Sequence, residues 1–317
     1  MKRLLKLLLP VFILLALLLA GCPSQDNGDN GDGSEQKGPI TVSSKLDEEG
    51  GMLGQMIILM LKANGFDVID KTQLGATNIV RPAIIAGEID IYPEYTGNGA
   101  FFFDGTDPGI WRDAQLGYEK VKELDKEENN IVWLGPAPAN NTWAIAIPIT
   151  LAQQENLITL ADLAAYVNGG GFIKLAASAE FINSPAALPA FQEAYGFVLA
   201  GDQLVSFAGG DTALTEQAAS QGIDAVNAAM AFGTDGELPA LGLIILEDPL
   251  GAQPIYEPTP IVRGVTFDQY PELATILDPV FATLDTETLQ ELNAKVGLEG
   301  QLPVDVARDY LTEKGFL

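Results

Sequence analysis

Histidine is absent from all 317 residues, so imidazole acid–base chemistry and histidine-held metals are excluded. Cysteine occurs once, at Cys22, which leaves no disulfide, no thiolate cluster and no redox pair. Positive charge is also scarce: 17 Lys and Arg stand against 43 Asp and Glu, a formal net charge of −26. Between Glu127 and Val262, Lys174 is the sole basic residue among 15 acidic ones. Such a surface repels nucleic acid and anionic lipid, so neither is an expected partner, while cations are drawn to it.

What is present begins with Lys2, Arg3 and Lys6, an apolar core from Leu7 to Leu19, and the ending Leu19-Ala20-Gly21-Cys22. The core is short for a bilayer span, and small residues precede the cysteine; the pattern predicts a lipoprotein signal peptide over 1–22. Cys22 is then the lipid-acceptor residue, and the protein is exported and held at a membrane face, in the periplasm or at the cell surface. Residues 23–38 are Gly, Asp, Asn, Ser and Gln with almost nothing apolar, a flexible tether. Pro39 to Leu317 is long enough for one large or two medium domains.

The folded part is organised around Gly87 to Gly99, GEIDIYPEYTGNG. Ile89, Ile91 and Tyr92 suit a buried strand, Pro93 is expected to end it, and Thr96 before Gly97 and Asn98 reads as a helix start. At the end of such a strand, helix N–H groups can hold an anion, while tyrosine faces can hold a cation. Before it lie a strand at Ile40–Ser44, a helix from Met52 to Lys62 behind Asp47-Glu48-Glu49, a strand from Phe66 to Thr72, and a helix capped by Thr77. That is β-α-β-α-β. A second such series runs through Phe172–Ala177, Leu188–Tyr195, Gln203–Phe207, Asp211–Ser220 and Ile223–Phe232. Gly222-Ile223-Asp224 precedes its last strand as Gly87-Glu88-Ile89-Asp90 precedes the first.

Two proline-rich, almost uncharged stretches, Ile131–Ile147 and Pro254–Val262, carry the chain from one series to the other and back. The first is expected to be a strand running between domains. The expected division is 39–141 with 257–317 as one α/β lobe and 142–256 as the other, joined as a hinged clamshell. Helices over Tyr270–Leu284, Thr286–Val296 and Val304–Gly315 complete the chain.

SSKLDEEGG at 43–51, LGATNIVRPAIIAGEIDIYPEYTGNGAFFF at 74–103, APANNTWAIA at 137–146, VNAAMAFGTDG at 226–236 and QPIYEPTPIV at 253–262 resemble the osmoprotectant-binding proteins of bacterial ABC importers, nearest the low-affinity glycine betaine branch. The resemblance covers nearly all of Pro39 to Leu317. It implies a type II periplasmic-binding-protein fold, no cofactor, no metal and no catalytic residue. It also implies a monomer that hands glycine betaine, choline or carnitine to an ABC permease. Aromatic rings in these receptors surround the trimethylammonium group, which cannot donate hydrogen bonds. The cage positions fall on Tyr95, Trp143, Phe232 and Tyr256. The carboxylate-binding positions fall on Lys45 and on the helix start at Thr96 and Asn98.

The sequence departs from the family where several members carry an arginine in the second lobe: Glu180-Phe181-Ile182-Asn183-Ser184-Pro185 contains no basic residue. Weak betaine affinity or a preference for another cationic solute follows. Alternatives remain a receptor for a polyamine or amino acid, a sensory module, or a hydrolase built on Asp90 and Glu94, whose spacing places both on one strand face.

Overall fold

Ten strands form two five-stranded sheets in the computed structural model, which describes residues 37–207 and 212–317. The expected signal peptide, Cys22 and the tether up to residue 36 lie outside the described residues. The first sheet comprises β1 (Lys37–Lys45), β2 (Phe66–Gly75), β3 (Ile91–Tyr95), β4 (Ile131–Trp133) and β10 (Pro258–Arg263), in the order β2-β1-β3-β10-β4. The second comprises β5 (Trp143–Pro148), β6 (Leu175–Ser178), β7 (Leu204–Phe207), β8 (Ala228–Phe232) and β9 (Leu243–Ile245), in the order β7-β6-β8-β5-β9. In each sheet four strands run in one direction and a single strand, β10 in the first and β5 in the second, runs antiparallel to both its neighbours. β5 follows the first series and β10 follows the second, so each sheet takes in one strand that arrives by a crossing.

Both faces of each sheet are covered by helices, and the strands show it in alternation. Ile91 and Val262 face the core under helices Glu48–Ala63 and Glu272–Phe281, while Tyr92, Ile261 and Trp133 face the core under Thr77–Ala86. In the second sheet Ile145, Ile147 and Met230 point to one side and Ala146, Ala229 and Ala231 to the other. Alanine on that side lets helix Thr212–Gln221 approach closely. Local signals set the helix ends: Asp47 accepts from the Gly50 N–H at 2.7 Å, Asp285 from Thr288, and Thr159 with Asp162 forms a reciprocal capping box.

Five expectations change, one being that Ile223–Ala225 is a short 3-10 turn, so β8 begins at Ala228 and not at Ile223. Pro93 lies inside β3 instead of ending it. It stands opposite Pro260 of β10, a pair that exchanges no N–H bond, and β1 on the other side pairs with β3 only at Ile91, so the donor missing at Pro93 costs no ladder bond. Ile131–Ile147 is not one strand: β4 joins the first sheet, β5 joins the second, and 134–142 is irregular between them. β1 starts at Lys37, two residues before the expected tether boundary. Thr77 is the first residue of its helix instead of its cap, with Ala76 at the capping position. The paired glycines keep their correspondence, since Gly87 and Gly222 both adopt positive φ, 78° and 64°, to turn the chain before β3 and β8.

Candidate functional site

The end of β3, the start of β5, the end of β8 and the segment before β10 border a cleft of about 810 Å³ between the sheets. Tyr95, Trp143, Phe232 and Tyr256 all line it, one from each of these places. Trp143 and Phe232 are direct partners in the antiparallel β5–β8 ladder, which puts both rings on one face. Trp143 also stands edge-on to Phe181, with centroids 5.9 Å apart and planes at 88°, which fixes its orientation. The Tyr256 ring lies against the backbone of Gly97, where an added Cβ would come 2.9 Å from the ring carbons and 2.7 Å from the Ile255 carbonyl oxygen. Gly97 in YTGNG therefore serves close approach. Phe101, 65% exposed, joins the wall from the short helix after it.

The expected anion-binding end is arranged differently. Lys45 lines the cleft, but its ammonium lies 2.5 Å from Glu94 Oε1, and Glu94 is fully buried. The same Oε1 accepts from the Tyr95 N–H at 2.8 Å and from Asn98 Nδ2 at 2.7 Å, while Tyr92 Oη donates to Oε2 at 2.7 Å. The lysine and the asparagine that were assigned to a ligand carboxylate thus hold the protein's own, together with the strand-end N–H of Tyr95. Thr96 does not reach the wall: its buried hydroxyl donates to the Ile255 carbonyl and accepts from the Glu257 N–H, tying the β3 end to the returning crossing. Tyr95 is likewise partly committed, since the Lys45 ammonium sits 4.6 Å from its ring centroid.

A second carboxylate, Glu49, was read in the sequence only as part of an acidic first turn. It is buried and accepts from Tyr95 Oη at 2.7 Å, Asn141 Nδ2 at 3.0 Å and Asn293 Nδ2 at 2.7 Å. Burial raises its pKa above the ordinary value, and the donors only partly offset that. Asn293, from helix Thr286–Gly297, also donates to the Thr234 carbonyl beside β8, so this cluster joins the two sides of the cleft. Asn141 Oδ1 and Asn293 Oδ1 have no hydrogen-bond partner. Asp47, Glu180, Asp235 and Glu237 add negative charge to the wall. Burial pushes Asp235 up to about 6, despite hydrogen bonds with Glu216, the Phe232 N–H and Thr212. Asp90 stays structural, bound by the Thr41 N–H, Arg263 and Thr266. No sequence pattern marked Asn293, whose partner Glu49 is 244 residues away.

The family model described as the substrate-binding domain of ABC-type glycine betaine transport systems, OpuAC, matches residues 38–313. The chain belongs to this family. One relative, the glycine betaine-binding protein YehZ of Escherichia coli, is 56% identical over 278 residues, 88% of this chain and 91% of that protein. The glycine-betaine-binding protein of Pseudomonas aeruginosa is 32% identical over 293 residues, 90% of this chain and 91% of that one. The solved structure of apo YehZ from E. coli superposes with a TM-score of 0.80 at 55% identity, covering 89% of this chain and all of that chain. The two exchanged-strand sheets are therefore the periplasmic-binding-protein fold of these neighbours. The relatives are transport binding proteins and not enzymes. Among the described residues, no helix is long and apolar enough to cross a membrane.

Proposed function

We propose that this protein is an extracytoplasmic solute receptor that captures glycine betaine or a related quaternary ammonium osmoprotectant and delivers it to an ABC permease, anchored by a lipid on Cys22. The observation that carries this reading is the cleft itself: four aromatic rings from four separate places in the chain line one acidic cavity. A trimethylammonium group has only dispersion and cation–π contact to offer, and such a wall supplies both. We read the two sheets as lobes that close on the solute, with 39–141 and 257–317 on one side and 142–256 on the other. Closure is favoured by contacts made only when both sides touch the ligand, and the permease recognises that state. The test is calorimetric titration and thermal shift of the purified protein with glycine betaine, choline and carnitine. Absence of heat and of any shift at millimolar ligand would sink the reading.

The wall carboxylates favour one further reading, a receptor for a polyamine. Primary ammonium groups can donate hydrogen bonds to carboxylates and depend on the indole far less than a trimethylammonium does. Spermidine binding that survives loss of Trp143 would select it.

A further inference from the structure

Resting on the receptor reading above, we infer that Asn293 is a positioning residue for the cage: acting through Glu49, it couples the meeting of the two sides of the cleft to the setting of the Tyr95 ring. Asn293 stands on helix Thr286–Gly297, whose Leu289, Leu292 and Val296 share a core with Met52 and Ile57 under the first sheet. Its side chain also meets the other side. The amide nitrogen donates to Glu49 Oε2 at 2.7 Å and to the carbonyl of Thr234, just past β8 of the second sheet, at 2.8 Å. Both hydrogens of one amide are thus engaged, one toward each side. Turned over, the amide would set its oxygen against a carboxylate and a carbonyl, so this orientation is fixed. The bridge is kept at a cost, because Asn293 Oδ1 is buried without a hydrogen-bond partner. An apolar side chain would fill the same space without that cost, and it would not bridge.

Glu49 carries the bridge on to the cage. Its Oε1 accepts from Tyr95 Oη at 2.7 Å and from Asn141 Nδ2, on the first crossing, at 3.0 Å. Tyr95 is held at its ring by the Lys45 ammonium, 4.6 Å from the centroid, and at its hydroxyl by Glu49. The hydroxyl tie is the one that leads, through Glu49 and Asn293, to the second sheet. Contacts beside the bridge make it sensitive to the approach of the two sides. Gln290, one turn earlier on the same helix, donates to the Gly233 carbonyl at 2.9 Å, and the Gly236 backbone packs tightly against Ala294. Parting of the sides along this edge takes the Thr234 carbonyl from Asn293 and wets Glu49, and the Tyr95 hydroxyl loses its fixed partner. A solute held between Tyr95 and the second-sheet rings Trp143 and Phe232 is then released in one concerted step and not ring by ring.

A double-mutant cycle reads this coupling. Tyr95→Phe keeps the ring and removes its tie to Glu49, while Asn293→Ala removes the bridge. Calorimetry and stopped-flow kinetics on the whole purified protein give Kd and koff, the probe being whichever of glycine betaine, choline and carnitine the wild type binds tightest. Asn293→Ala is expected to raise Kd about tenfold, nearly all of it in koff because the bridge forms after the solute has entered, and Tyr95→Phe about fivefold. The double variant is expected to stay within about twofold of Asn293→Ala, since both changes cut the same line. A merely structural role for Asn293 gives independent losses, which multiply to about fiftyfold. That product in folded variants overturns the inference and leaves the receptor reading standing. So does a Kd within about twofold of wild type for either single variant. If circular dichroism shows Asn293→Ala unfolded, the cycle is run with Asn293→Ser, whose short side chain does not span both acceptors; if neither folds, Tyr95→Phe alone decides. Wild type that binds none of the three solutes overturns the receptor reading, and the inference with it.

Discussion

Replacing Trp143 by alanine tests the cage most directly, because the indole has one set of contacts for the fold and another for the ligand. Toward the protein it meets Phe181 edge-on and is half-buried at the start of β5. Losing it should lower stability by about 2 kcal/mol, less than the roughly 3–5 kcal/mol of a fully buried tryptophan. Toward a quaternary ammonium held as proposed it would supply a cation–π contact worth about 2 kcal/mol in a desolvated site. Apolar contact with the methyl groups adds about 1 kcal/mol, at roughly 25 cal/mol per Å² over some ~40 Å². Together these correspond to roughly a hundredfold or slightly more in dissociation constant, at about 1.4 kcal/mol per decade. Calorimetry with choline and glycine betaine, at a temperature where a melting curve shows the variant folded, reads the loss. Trp143→Phe should recover most of the affinity. A folded W143A protein that binds both ligands within threefold of wild type would refute the cage.

Asp125 accepts from both Arg81 nitrogens, from Trp133 Nε1 at 2.7 Å and from Asn129, fully buried under the first sheet. Asp125→Ala should therefore cost about 3–5 kcal/mol in chemical denaturation by stranding the guanidinium. Gly236 packs on helix Thr286–Gly297 so closely that an added Cβ would lie 2.2 Å from the Ala294 nitrogen. Gly236→Ala should destabilise by about 1–3 kcal/mol and weaken ligand binding by displacing Asn293, whereas Gly201→Ala, with nothing near its Cβ position, serves as the neutral comparison. Asp235 has its pKa raised by burial from 3.8 to about 6, so the fold holds that proton more tightly than the unfolded chain does. The stability it contributes is complete below about pH 4 and is lost as pH rises to about 6. Melting temperatures of wild type and Asp235→Asn across pH 4–7 should show wild type losing ground to the variant over that window, and parallel curves would contradict it.

Much of the fold was legible because its signals are local. The helix Leu188–Tyr195 has the bounds its periodicity predicts, Asp285 caps where a cap was needed, and the matching of Gly87 with Gly222 follows from two turns that both demand positive φ. The aromatic positions came from resemblance, and the structure brings all four to one cleft. What escaped was pairing across distance. Thr96 read as part of a helix start and Lys45 as a ligand-carboxylate position, and nothing local said that Glu94 would turn inward and take up Lys45. Asn293 carries no motif, and Asn141 lies in APANNTWAIA without any pattern that singles it out: their role exists only because the two crossings and the last helices bring residues 49, 141, 234 and 293 together. Pro93 misled for a related reason, since its tolerance in β3 depends on Pro260 opposite.

The two sheets repeat one topology, yet they meet the cleft with different chemistry, and the difference bears on how the cleft opens. The first sheet brings a neutralised pair, Lys45 with Glu94, and a buried acid, Glu49. The second brings acids and aromatic faces. The two sides are tied where Asn293 donates to the Thr234 carbonyl and Gln290 to the Gly233 carbonyl at 2.9 Å. Any motion that widens the cleft along this edge must break those bonds and admit water to Glu49. Once hydrated, Glu49 loses the desolvation that raises its pKa, so its charged form becomes less costly in the open arrangement than in the closed one. A cation in the cleft acts in the opposite direction: it stabilises nearby negative charge without water, and so supports the closed arrangement in which Glu49 stays dry. The buried acid then does more than anchor Tyr95, because its electrostatic cost in the empty cleft is one that a positively charged solute, and not a neutral one, relieves.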